Sequence, residues 1–342
     1  MTTSTPLLLA LQGGGAHGAF TWGVLDRLLE EPIEIEAVSG TSAGAMNAVA
    51  LAHGLMQDGR EGARASLRQL WENVADNATN DPTGIADTIT EIYQAANGGS
   101  SPWVNALLGV SQYVSPEKIN PLDLNPLGDM LEELFDFKRL RRDCPVQLHI
   151  AATRVDTGRP AVFRETELTV NHLLASACLP TVFHTVEVDG VAYWDGGFAI
   201  NPPVATLLEN ADARDLLMVL LNPLGRDEVP TDADDIQHRV KELTFGAGFL
   251  RELAAIARQR VKSEHQGYAQ DDEQRRLRDT HFHMIAAEDS VKGLDSRSRY
   301  NAHGELLADL HKEGRRHAED WLETCGSGFG KHSTVDLAAR FL

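Results

Sequence analysis

Cysteine is scarce. Cys144, Cys178 and Cys325 are the only three in 342 residues, they stand far apart, and they form no C-x-x-C. An odd, scattered set argues against a disulfide framework and fits a reducing cytosol. No stretch approaches the ~18 consecutive apolar residues of a membrane span. The first residues carry no basic segment, so Leu7 to Leu11 reads as a buried strand rather than a signal peptide. Positive charge is also short. The formal net charge is −19, and no basic stripe is present to neutralise phosphates. Nucleic acid is therefore a poor partner. A general attraction to anionic membranes is disfavoured too, while peripheral contact through a local patch stays open. No internal repeat is visible. What remains is the composition of a soluble, cytoplasmic globular protein, long enough for one large domain or two smaller ones.

The apolar pattern starts at once. Leu7-Leu8-Leu9-Ala10-Leu11 is continuous, as in a strand buried on both faces of a parallel sheet. After a glycine turn, Phe20, Val24, Leu25, Leu28 and Leu29 recur at helical spacing. Pro32 ends that helix, and Ile33, Ile35 and Val38 lead into a second turn and a second helix. This opening predicts an α/β fold with a mostly parallel central sheet. The second helix is expected to fade near His53-Gly54, with another from Ala63 to Val74. Between Asn77 and Pro126 the sequence loosens around an apolar cluster of Trp103, Val104, Leu107, Leu108, Val110 and Tyr113, read as core packing or as a lipid-contacting flap. Further strands are expected at Val146 to Thr153, Leu216 to Leu221 and His281 to Ile285. Val186 to Trp194 reads as a hairpin turning at Asp189-Gly190. Thr324 to Ser333, rich in Gly and Ser, reads as a loose tail.

The second turn is Gly40-Thr41-Ser42-Ala43-Gly44, a G-x-S-x-G pattern between a strand and a helix. That setting makes a nucleophile elbow, with Ser42 at the apex and the positive end of the helix dipole beside it. Gly40 and Gly44 leave room where a Cβ would meet neighbouring backbone. The competing reading is a plain turn with a serine cap.

The first turn, Gln12-Gly13-Gly14-Gly15-Ala16-His17-Gly18, follows the first strand. Consecutive glycines expose backbone N–H groups that can converge on a developing oxyanion. Gly13-x-Gly15-x-x-Gly18 also fits a dinucleotide pattern, with Glu34 and Glu36 as ribose acids. The end of the second strand, however, is occupied by the serine turn. No phosphate-cradling lysine follows the glycines.

Ser42 needs a base. Asp195, in Trp194-Asp195-Gly196-Gly197, ends the expected hairpin, where an apolar setting would raise its proton affinity. Eight histidines follow it (His238, His265, His281, His283, His303, His311, His317 and His332), so a Ser–His–Asp triad is the rival arrangement. His281-x-His283 without further ligands reads as ordinary strand residues, and no metal site is expected.

Together, the three motifs resemble the patatin-like phospholipase family in order and spacing over about residues 7 to 205. Ala175-Ser176-Ala177-Cys178-Leu179-Pro180 is similar to that family's A-S-x-x-x-P segment. The resemblance implies a three-layer α/β/α fold. It implies a catalytic domain at 7–205 and a C-terminal α-rich extension at 206–342 packed on the same core. It implies Ser42 as nucleophile, Asp195 as base without histidine, and the Gly13, Gly14 and Gly15 backbone as oxyanion hole, with no cofactor. Two departures stand out. The plant-type loop opens with Asp where this chain has Gln12, and its basic residue is Arg or Lys where this chain has His17. The expected activity is that of a lipase or phospholipase A acting on lipid or other acyl esters. A non-catalytic lipid-binding or regulatory module is the alternative from another class.

Overall fold

The computed structural model describes residues 6–80, 125–180, 183–210, 212–226, 229–266, 272–288 and 302–342. The Trp103 to Tyr113 cluster lies outside the described residues. In chain order the elements are β1 (Pro6–Leu11), α1 (Gly18–Leu28), β2 (Glu34–Thr41) and α2 (Ala43–Asn80). Then come α3 (Pro126–Leu134), α4 (Phe137–Asp143), β3 (Gln147–Arg154), β4 (Pro160–Arg164) and α5 (Val170–Ser176). β5 (Val186–Val188) and β6 (Val191–Asp195) precede α6 (Ala205–Asn210) and β7 (Asp215–Leu220). α7 (Ala233–Gln266), α8 (Asp272–Asp279), β8 (His281–Ala286), α9 (Gly304–Cys325) and α10 (Leu337–Phe341) complete the described set.

The uninterrupted apolar run becomes the middle of the sheet. Alternate residues of β1 serve two separate cores. Leu7, Leu9 and Leu11 pack with Phe20 and Val24 of α1, Val49 of α2 and Leu310 of α9. Leu8 and Ala10 pack with Leu207 of α6, Phe249 and Leu253 of α7 and Leu337 of α10. The four leucines of β1 are all buried, each contributing roughly 2 kcal/mol. The result is the expected three-layer α/β/α arrangement.

The sheet order is β5-β6-β3-β2-β1-β7-β8, with β4 also paired to β3. The β1–β2, β2–β3, β1–β7 and β7–β8 pairs are parallel. β4 and β6 run antiparallel to β3, and β5 antiparallel to β6. Asp189 and Gly190 both take positive φ, 50° and 77°, as a two-residue hairpin turn requires. Two strands from beyond residue 205, β7 and β8, extend the same sheet.

Two expectations need correction. α2 does not fade at His53-Gly54; it continues and breaks at Asp58 and Gly59, whose φ/ψ are non-helical. Gly54 lies against Gly62 beyond the break, where a Cβ on it would fall 2.2 Å from the Gly62 carbonyl oxygen. The glycine serves close approach between the two arms rather than termination. Nor is Thr324 to Ser333 loose. Its small residues leave backbone and hydroxyl groups free to bond the sheet. Gly330 N–H donates to Asp215 Oδ1 at 2.9 Å and Phe282 N–H donates to Ser333 Oγ at 3.0 Å. His281 and His283 also converge on Asp215 Oδ1, at 3.3 and 2.9 Å.

Candidate active site

Register brings the pieces together. Leu11 pairs with Gly40, Thr41 with Ala151, and Ala152 with Asp195. The ends of β1, β2 and β6 therefore meet at one edge around β3, with neighbouring strands about 4.8 Å apart. Gln12 to Gly15 follows β1 there, Ser42 follows β2, and Asp195 ends β6.

Ser42 has φ of 54°, uncommon for a residue with a side chain. The surroundings hold it so. Gly40 and Gly44 face each other across the turn, and a Cβ on Gly40 would lie 2.5 Å from the Gly44 carbonyl oxygen. The Ser42 N–H donates to Ser176 Oγ at 2.9 Å, and Ser176, the last residue of α5, is fully buried. The Ser42 carbonyl accepts the first helical bond of α2, from Met46 N–H at 3.1 Å.

Asp195 is only 2% exposed. Its backbone is pinned by its N–H to Cys178 O at 2.7 Å and by Thr153 Oγ1, which donates to Asp195 O at 2.8 Å. Its Oδ1 accepts the Gly197 N–H at 2.7 Å, and the Ser42 side chain stands beside the same carboxyl and lowers its proton affinity. Burial pushes its pKa from an ordinary 3.8 up to about 7, opposed by the Gly197 amide and the Ser42 hydroxyl. The carboxyl is thus poised between its two protonation states near neutrality.

The glycine loop divides its labour. The Gly13 N–H is not an open donor, because it bonds Asn201 Oδ1 at 2.7 Å. Asn201 Nδ2 donates back to Gly13 O at 3.4 Å. The Gly14 and Gly15 amides make no hydrogen bond with the described residues. Gly15, with φ of 60°, turns the chain into a short 3-10 turn that leads into α1. His17 is buried in that turn, 2% exposed. Gln12 ties strand ends together: its Oε1 accepts Leu221 N–H and Asn222 N–H at 2.7 and 2.8 Å, and its Nε2 donates to Asn201 O at 3.3 Å.

The residues 9–208 match the family model described as patatin-like phospholipase. The chain belongs to that family. Among curated proteins none matches it by sequence. Two solved structures are similar to this patatin-like phospholipase at low identity. One is VipD from Legionella pneumophila, with 14% identity, TM-score 0.38, and 93% of this chain and 67% of that chain covered. The other is the heterodimeric ExoU–SpcU complex of the Pseudomonas aeruginosa type III secretion system. It shows 18% identity and TM-score 0.30, with 99% of this chain and 74% of that chain covered. At the level of the family the chemistry is lipid acyl hydrolysis. Among the described residues no helix is long and apolar enough to cross a membrane.

Of the residues singled out in the sequence, Ser42, Asp195, Gly14 and Gly15 meet at one edge, and Gly13 joins them through Asn201. The histidine pair of β8 does not, since it is held by Asp215 at the start of β7. No described histidine side chain hydrogen-bonds Ser42 or Asp195. Sequence reasoning missed the supporting partners. Ser176 was visible only as part of a motif, and Asn201 lies six positions past Asp195 in an otherwise unmarked Asn-Pro. A polar residue whose role is to bond distant backbone leaves no local pattern.

Proposed function

We propose that this patatin-like protein is a serine acyl hydrolase of the lipase or phospholipase A type, working through a Ser42–Asp195 dyad. The observation that carries the reading is Ser42 placed by strand register beside a buried carboxyl whose proton affinity burial has raised. Asp195 takes the hydroxyl proton as Oγ bonds to the ester carbonyl carbon. The resulting oxyanion is held by the Gly14 and Gly15 amides, with Gly13 locked by Asn201 as their anchor. When the tetrahedral intermediate collapses, the carbon–oxygen bond to the alcohol breaks and Asp195 returns the proton to the leaving oxygen. Water, deprotonated by Asp195, then attacks the acyl-enzyme, releasing the fatty acid and regenerating Ser42. No metal or organic cofactor takes part in these steps.

The same reading assigns the chemistry to residues 7–205 and makes 206–342 an α-rich extension packed on the same core. It also expects a cytoplasmic protein that meets its lipid or acyl-ester substrate by peripheral contact. The test is hydrolysis of p-nitrophenyl acyl esters and of a lipid panel read by mass spectrometry, with Ser42→Ala as control. Loss of activity in a folded variant is expected. Full activity in that variant would overturn the reading, as would absence of fluorophosphonate labelling at Ser42 in the unmodified protein.

A further inference from the structure

One wall of the site comes from outside residues 9–208. α7 lies wholly beyond that match and packs on the turn that follows Asp195. A Cβ on Gly248 of α7 would fall 2.0 Å from Ala199 O, so the helix backbone touches the turn directly. Three residues earlier, the Phe245 ring lies across Gly197. A Cβ at 197 would fall 2.2 Å from Phe245 Cδ1 and 3.0 Å from Asp195 Oδ1. Ring edge and carboxylate thus border the same small space, which only glycine leaves open. Phe198 packs on Phe245 with ring centroids 4.8 Å apart, and Trp194 approaches Phe198 at 6.2 Å.

We propose that Phe245 is a positioning residue for the dyad: its ring fixes Gly197, whose amide binds Asp195, and keeps water from that side of the carboxyl. The inference rests on the Ser42–Asp195 reading. Removing the ring has two opposed effects. A looser Gly197 amide would stabilise the carboxylate less, and entering water would stabilise it more. Burial is the larger influence on this carboxyl, so hydration wins and the proton affinity falls.

Other titratable groups on the packed elements are engaged elsewhere. On β3, His149 faces Arg164 and Arg154 pairs with Asp156. At the end of α5, the Cys178 thiol bonds His184 O, and His172 bonds Thr169. On α7, Glu242 pairs with Arg226 and Arg239, Glu252 takes the Val204 and Ala205 amides, and Lys241 is half-buried. The influences on the Asp195 carboxyl are burial, the Gly197 amide and the Ser42 hydroxyl, not these charges.

The experiment is the pH dependence of kcat/KM for p-nitrophenyl butyrate in the full chain. In the unmodified protein the rate should rise through a midpoint near pH 7. Phe245→Ala should move that midpoint down by about one pH unit or more. It should also lower plateau kcat about 10-fold with little change in KM. Phe245→Leu, which keeps an apolar cover, should hold the original midpoint. Phe249→Leu, buried on the far core of the same helix, should lower Tm without moving the midpoint. If the alanine variant does not fold, Phe245→Gln, which keeps more side-chain volume than alanine but is wettable, is expected to show the same downward shift. A folded Phe245→Ala or Phe245→Gln protein with an unmoved midpoint overturns the proposal. A midpoint that survives Asp195→Asn would instead overturn the dyad reading, so the two failures are distinguishable.

Discussion

The Asn201 side chain grips the peptide of Gly13, accepting its N–H on Oδ1 at 2.7 Å and returning a bond to its carbonyl at 3.4 Å. Asn201 sits on the turn that starts at Asp195, and Thr41 Oγ1 donates to Ile200 O of that turn at 3.1 Å. The turn bearing the carboxyl is therefore stapled both to the glycine loop and to the strand before Ser42.

That relationship predicts a rate defect without a binding defect. Asn201→Ala frees the Gly13 N–H and lets the loop drift, so kcat should fall about 100-fold with KM within about threefold. Asn201→Asp keeps an acceptor for the amide and should retain more activity than the alanine variant. Steady-state kinetics on a p-nitrophenyl ester checks both.

On the dyad reading, Asp195 links activity to stability. Its folded-state pKa, about 7, lies above its unfolded value, so the folded protein binds the extra proton between roughly pH 4 and pH 7. Stability contributed by the protonated carboxyl is present below pH 4 and lost as pH rises through 7, a loss of about 4 kcal/mol at most. Asp195→Asn should therefore abolish hydrolysis yet raise Tm at pH 8, with the gain fading by pH 4. Thermal melts across that range decide it.

Ser176 satisfies the N–H of a residue held at positive φ. Ser176→Ala leaves that half-buried amide without its partner, costing up to about 1–3 kcal/mol. Urea unfolding should show the loss. Ser42 labelling by a fluorophosphonate should slow as the turn relaxes, and Ser176→Thr should recover part of it.

The dyad can be set against the triad directly. Alanine at His281 or His283 disturbs the Asp215 cluster and should lower Tm while leaving kcat within about twofold. A loss of kcat comparable to that of Asp195→Asn in any single histidine variant would favour the triad.

Much of this protein was legible without coordinates, because the signals are local. The continuous Leu7 to Leu11 run marks a strand covered on both faces. The glycine spacing around Ser42 marks a strand–turn–helix, and Asp189-Gly190 marks a hairpin that ends in Asp195. Local patterns misled where a residue's role depends on its neighbour across space. Gly54 reads as a helix end but faces Gly62, and the Gly/Ser-rich tail reads as loose but bonds β7 and β8.

What the sequence determined, then, were the elements and the candidate reactive groups, since backbone conformation at a turn and burial along a strand are set within a few residues. Tertiary structure alone decided which groups meet and in what state. The register of β2, β3 and β6 sets Ser42 against Asp195. Asn201, 188 positions away, removes Gly13 from the free donors. Burial beneath a turn covered by α7 lifts a carboxyl to neutral pKa. Desolvation and hydrogen-bond pairing depend on every chain segment that packs on a group, and no stretch of sequence carries that information by itself.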